Sequence, residues 1–208
     1  MSDETPSLKD DISFLRSLAE AGRDRPIVGG IILVAAGAIF GGGALLQWLV
    51  LLHWISAPIS ISPMFNLINF GALALFVAAC FALRPLMRAR FAKIGVGQAT
   101  RSFAMAWNAI AIGIVVVSLV TAIDFRRTHD PVLFAQQACT IITLYGVAWL
   151  ASATAPRRTL FFAVAGLSFL LAIGCALVPG PTQVLAFAVT ILLVAFVPGL
   201  YLVLRELR

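Results

Sequence analysis

At 208 residues, 61% of them hydrophobic and 12% charged, the chain carries more apolar side chain than a water-soluble fold can hide. A typical soluble domain is roughly 45–50% apolar and about 25% charged, and at this size it buries only about 70% of its surface. The formal charge of +6 does not mark a nucleic-acid binder: the largest stretch free of apolar runs is about 26 residues long and has no basic excess.

The first 26 residues are polar, and four acids precede Phe14. A cleaved leader opens with a basic region and an apolar core, so this segment reads as a retained cytoplasmic arm. Residues 7–22 fit a short amphipathic helix. Ser7 is placed to cap it, with Asp10 at the third helical position. Leu8, Ile12, Leu15, Leu18 and Ala19 follow helical spacing, and Gly22 is placed to stop it. Ile12, Leu15 and Leu18 are the candidates for docking a protein partner. The plainer alternative is a helix lying on the bilayer surface or on the protein's own cytoplasmic face.

Six apolar runs follow, each near the roughly 20 residues that cross a bilayer: 27–55, 65–83, 102–123, 132–153, 159–178 and 183–204. The expected fold class is all-α, a polytopic transmembrane helical bundle with six spans. Residues 1–26 form the cytoplasmic arm, 27–204 the membrane domain and 205–208 a cytoplasmic tail. Pro26, Pro58, Pro63, Pro131 and Pro156 punctuate the runs, and Pro179-Gly180-Pro181 reads as a compact turn.

The cations orient the spans. Lys9, Arg16, Arg23, Arg25, Arg84, Arg88, Arg90, Lys93, Arg101, Arg157, Arg158, Arg205 and Arg208 fall on one side, and only Arg126 and Arg127 on the other. Lys and Arg favour the cytoplasmic face near span ends, so both termini are expected inside. The runs were delimited by hydropathy alone, which makes this segregation an independent check on them. Composition rich in Ala, Arg and Gly with little Lys points to a bacterial inner (plasma) membrane.

The first run would be about 43 Å long as a helix, against a hydrocarbon core near 30 Å. It must tilt, protrude or break, and Gly41-Gly42-Gly43 is the expected place for a kink or a close contact. Pro198-Gly199 should bend the sixth run. Three similar hairpins follow from the turns, but their residues do not align as repeats.

The stretch 84–101 reads as a basic loop without acids. Arg84, Arg88, Arg90 and Lys93 are the candidate contacts for anionic lipid headgroups on the cytoplasmic side; the plainer reading is ordinary positive-inside anchoring. Gly95-Val96-Gly97 is too short for a nucleotide-binding fingerprint.

No Asp, Glu, Lys or Arg falls mid-span, which disfavours coupling through a buried carboxylate. Uncharged polar groups gather in the outer halves. Gln47, Asn66, Asn69, Gln136 and Gln137, with Asp124, Arg126 and His129 at the boundary, could line an outward vestibule that binds a small solute. The alternative is ordinary interhelical hydrogen bonding, about 0.6 kcal/mol each. Asn108 is expected to bond across to a Ser or Thr. His53 and His129 are too few for a metal site without motif spacing, and Cys80, Cys139 and Cys175 read as small buried hydrophobes. No cofactor, metal or catalytic residue is expected, because no nucleophile–base or metal motif occurs.

Gly37 and Gly41 in the first run, Ala109 and Gly113 in the third, and Ser168, Ala172 and Ala176 in the fifth have the spacing of close helix contacts. They fit packing within one chain, and secondarily a homo-oligomer. Trp48, Trp54, Trp149 and Tyr201 fit anchors at the membrane interfaces. Three function classes remain: a scaffold, assembly or regulatory partner of another cytoplasmic or membrane protein; a channel or carrier for a small neutral or anionic solute; and a lipid-acting enzyme. The first is the expectation, since neither intramembrane charge nor catalytic motif is present.

Overall fold

The computed structural model describes residues 12–13, 29–54, 61–94, 98–130, 132–153 and 159–206. Among these residues every element is helical. In chain order they are α1 (Gly30–Leu51), α2 (Ile61–Ile94), α3 (Gln98–Thr128), α4 (Val132–Ser152), α5 (Thr159–Leu177), α6 (Pro181–Ile191), a π-helical turn (Leu192–Phe196) and α7 (Val197–Glu206). The last three form one rod. Six helices are thus long and apolar enough to cross a membrane. Leu15, Leu18, Pro26, Pro58, Pro131, Pro156, Arg157 and Arg158 lie outside the described residues; Ile12 is helical and 57% exposed.

Several boundaries differ from those expected. The first span is 22 residues, about 33 Å of helix. It matches the bilayer core, so it has no need to break, and it runs continuously through Gly41-Gly42-Gly43. The second and third helices are longer than their apolar runs. The basic stretch at 84–101 is not a loop: α2 continues through Pro85 to Ile94, and α3 begins at Gln98. Charge ends the part of a helix that suits lipid, not the helix itself. Pro85 gives up one backbone hydrogen bond near the end of the apolar part, Met64–Ala89, where water or side chains can replace it.

Consecutive helices alternate in direction. The start of α3 meets the start of α1 where Phe103 lies against Gly29, and α7 returns to the same end, with Leu202 against Gly30. This is called the Arg88 end, and the other, with the α3–α4 and α5–α6 turns, the Asp130 end. His53 and His129 close α1 and α3 there with φ of 57° each, a left-handed residue at the helix stop.

The centre consists of α1, α4, α5 and the α6–α7 rod. α2 packs chiefly on α1, and α3 chiefly on α4, so both are outliers. α2 meets α1 with a row spaced by four: Ile68 and Ala72 against Gly43, and Phe76 against Phe40 at 5.3 Å between ring centroids. Leu67, Phe70 and Phe81 of α2, and Met105, Ile112 and Leu119 of α3, stay exposed.

Two features hold the centre. The first is a glycine seam between α1 and the rod. A Cβ at Gly37 would stand 2.5 Å from the Phe196 backbone nitrogen, and one at Gly199 2.8 Å from the Leu33 Cβ. Gly37 therefore serves packing within the chain, as its spacing with Gly41 suggested. The second is an aromatic plug towards the Arg88 end: Phe103, Trp107, Tyr145, Trp149 and Phe161, with neighbouring ring centroids 5.1–6.3 Å apart. Trp149 is 0% exposed, so it is a core residue and not an interfacial anchor. Trp54, at 76% exposure, keeps an anchor's position.

Pro198 does not simply bend the last span. Having no N–H, it cannot donate to the Val194 carbonyl one turn back. The backbone widens into the π turn, where the Val197 N–H reaches Leu192 O, and the Trp149 indole Nε1–H donates to Val194 O at 2.7 Å. A side chain from α4 thus satisfies a carbonyl that proline leaves open.

Candidate functional site

Three of the polar residues towards the Asp130 end make side-chain bonds between helices. Gln47, near the end of α1, donates from Nε2 to Asn69 Oδ1 of α2 at 2.8 Å. Gln137 of α4 donates from Nε2 to Ser118 Oγ of α3 at 2.8 Å. Both pairs lie towards the Asp130 end, but each joins an outlying helix to its own neighbour. Asn66 and Gln136 are exposed, and Asn108 is exposed rather than turned to a Ser or Thr across an interface. The structure therefore brings Gln47 to Asn69 and Gln137 to Ser118, and joins neither pair to the other.

The charged boundary residues belong to the α3–α4 turn. Thr128 Oγ1 donates to the Asp124 backbone carbonyl at 3.0 Å and accepts from the Asp130 N–H at 3.3 Å. Asp130 Oδ1 accepts from the Val132 N–H at 2.9 Å, capping the start of α4. His129 N–H donates to Phe125 O at 2.9 Å, and its ring lies 6.1 Å from that of Phe125. Arg126 and Arg127 sit exposed in the last turn of α3, where cations offset the negative end of the helix dipole. Among the described residues no three His, Cys, Asp or Glu side chains come together as metal ligands.

At the Arg88 end, Arg84 and Arg88 are exposed on α2, and the Arg84 guanidinium lies 6.0 Å from the Phe81 ring centroid. That distance suits a weak cation–π contact. Arg90 and Lys93 continue the same helix; their side chains lie outside the described residues.

One constellation had no signal in the sequence. Cys139 of α4 and Cys175 of α5 pack against each other, with Ile142, Ala172, Ala186 and Phe187 around them. Gln183, in the first turn of α6, donates from Nε2 to the Cys175 backbone carbonyl at 3.2 Å and lies 4.0 Å from Cys139 Sγ. Cysteines 36 positions apart in different runs announce nothing by spacing. Only their common depth below the Asp130 end could have suggested the pairing.

No known protein family, curated protein or solved structure matches the chain.

The Gln47–Asn69 bond allows a direct test of what these polar pairs are worth. Gln47→Leu should lower stability in detergent by about 0.6 kcal/mol, the usual value of an interhelical hydrogen bond in a membrane protein. Asn69→Leu added to it should cost nothing further, because both partners are then apolar. Thermal denaturation of the single and double variants measures this; a much larger, additive loss would mean that each amide serves a role of its own.

Proposed function

We propose that this chain is a multi-pass protein of a bacterial inner membrane, with both termini in the cytoplasm, that acts without catalysis as a scaffold, assembly or regulatory partner of another membrane protein. The observation that carries the proposal is a closed interior beside two outlying helices. Trp149, Phe161, Ile142, Ile191, Val194 and Ser168 are almost wholly buried at the centre, and Gln47 with Asn69 and Gln137 with Ser118 bond locally, each pair between neighbouring helices. A carrier would need a continuous wet path reaching Asn69 and Gln136, and those two residues belong to different helix pairs. What remains to act through is surface, and α2 and α3 each present a long exposed apolar face. The cations at the Arg88 end fit the cytoplasmic face, where Arg84, Arg88, Arg90 and Lys93 would also meet anionic lipid.

The test is photo-crosslinking in native membranes from benzoylphenylalanine placed at Phe70 of α2 and at Ile112 of α3. A discrete protein adduct from one of these faces is expected. Lipid adducts alone from both would sink the proposal. Orientation is tested separately with Arg88→Cys and Arg127→Cys in intact cells: an impermeant maleimide should label only the second.

A further inference from the structure

We propose that Cys139 and Cys175 form a dithiol that closes reversibly to a disulfide between α4 and α5. The two side chains belong to one packed cluster on helices that pack along their length, and Gln183 touches both sulfurs: its Nε2 lies 4.0 Å from Cys139 Sγ and its carbonyl oxygen 3.9 Å from Cys175 Sγ. A disulfide requires the sulfurs to approach to about 2.05 Å, a closure asked here of two side chains that already meet in one cluster. The third residue of the cluster fixes this arrangement. Gly180, at φ 64°, turns the chain so that α6 starts back over the end of α5. The Cys175 carbonyl then accepts from Gln183 Nε2 at 3.2 Å and from the Val178 N–H at 3.3 Å. Cys175 Sγ in turn lies 3.9 Å from the Gln183 carbonyl. The sulfur-bearing turn is thus tied to α6, and the Gln183 amide stands ready to donate to a thiolate on Cys139.

The two sulfurs are unequally accessible. Cys139 is partly exposed and Cys175 is buried, which divides the chemistry between them. Cys139, as thiolate, attacks one sulfur of a small or protein disulfide and expels the first thiol, leaving a mixed disulfide. Cys175, as thiolate, attacks the Cys139 sulfur and expels the second. Each expelled thiolate takes up a proton lost by one of the two cysteines. The oxidant disulfide is reduced to two thiols, and the protein pair is oxidised to one disulfide. Cys175 lies within the last turn of α5 and Cys139 about 10 Å below the first residue of α4, both towards the Asp130 end. An extracytoplasmic supply of the oxidant rests on the orientation proposed above; the pairing itself does not.

The experiment uses the full chain in membranes. It is exposed to oxidised glutathione, remaining thiols are blocked with N-ethylmaleimide, and the digest is read by mass spectrometry. Of the three cysteines, Cys139 and Cys175 should lose their maleimide adducts together and appear as one linked peptide, reversed by dithiothreitol, while Cys80 stays alkylated. Cys80→Ser should retain the link. Cys139→Ser should lose it while eluting from a sizing column as the wild type does. Three alkylated cysteines after oxidation of the detergent-solubilised protein overturn the proposal. So does glutathione retained on Cys139, or a link through Cys80. In intact cells, oxidation by impermeant glutathione disulfide supports the outward orientation. Oxidation by the permeant oxidant diamide alone keeps the dithiol and overturns the orientation.

Discussion

Gly37→Leu should separate α1 from the last span and leave a protein that aggregates on extraction into detergent. The reason is steric. A Cβ at Gly37 would lie 2.5 Å from the backbone nitrogen of Phe196 and 2.7 Å from its Cβ, and neither atom is the far end of a flexible side chain. Overpacking of a well-filled site costs about 1–3 kcal/mol and at times more. Here the opposing surface is the π turn, already held by Trp149, so it has little freedom to retreat. The gap cannot open locally either, because Gly30 and Gly199 bring the same two rods together two turns away: a Cβ on Gly30 would stand 2.7 Å from the Gly199 carbonyl oxygen. Gly37→Ala should show the same effect in milder form, lowering the thermal midpoint of the detergent-purified protein. Gly42→Ala is the control. Nothing lies within 4 Å of a Cβ there, and alanine improves helix propensity by about 0.8–1.0 kcal/mol over glycine. If Gly37→Leu melts together with Gly42→Ala, the seam between α1 and the rod is not what holds the centre.

Hydropathy sufficed to find the six long apolar helices because lipid would impose one requirement on every residue of a span. A chain in hydrocarbon must satisfy its backbone internally and show apolar side chains outward, and both demands are visible residue by residue. The same signals misplace helix ends. Arg84 ends the apolar run, yet α2 continues through Pro85 to Ile94, since a helix leaving the bilayer can carry charge into water. They also miss which apolar residues are internal. Trp149 looked like an interface anchor because tryptophan near a span end usually is one; what buries it is the carbonyl that Pro198 leaves open 45 positions away. The candidate polar cluster shows the same limit. Gln47, Asn69, Gln136 and Gln137 share a depth, and depth is all that spacing reports. Which helices are neighbours is decided by shape, such as the fit of Ile68 and Ala72 against Gly43, and shape pairs Gln47 with Asn69 and Gln137 with Ser118. The Cys139–Cys175 pair went unseen for the converse reason: shape brings together two residues that nothing in the chain pairs.

Trp149→Phe should destabilise the protein strongly, and restoring one backbone N–H should remove part of the loss. In an α-helix the Val194 carbonyl would accept from the N–H of residue 198, and proline has none. The Trp149 indole supplies the donor at 2.7 Å, in a position where no water competes, since both Trp149 and Val194 are 0% exposed. A buried acceptor left without a partner costs about 1–3 kcal/mol, and the smaller phenyl ring adds a cavity term. Pro198→Ala changes only the first of these. It returns an N–H that can reach Val194 O and lets the π turn relax towards an α-helix, so the indole becomes redundant as a donor while its volume is still needed. The double-mutant cycle should therefore give a Trp149→Phe penalty smaller by about 1 kcal/mol in the Pro198→Ala background, within the usual range for coupled neighbours. Thermal or chemical denaturation in detergent of the four proteins measures it. Equal penalties in both backgrounds would mean that the indole acts by its volume alone. The π turn would then be a response to Pro198 and Gly199 that needs no donor from α4.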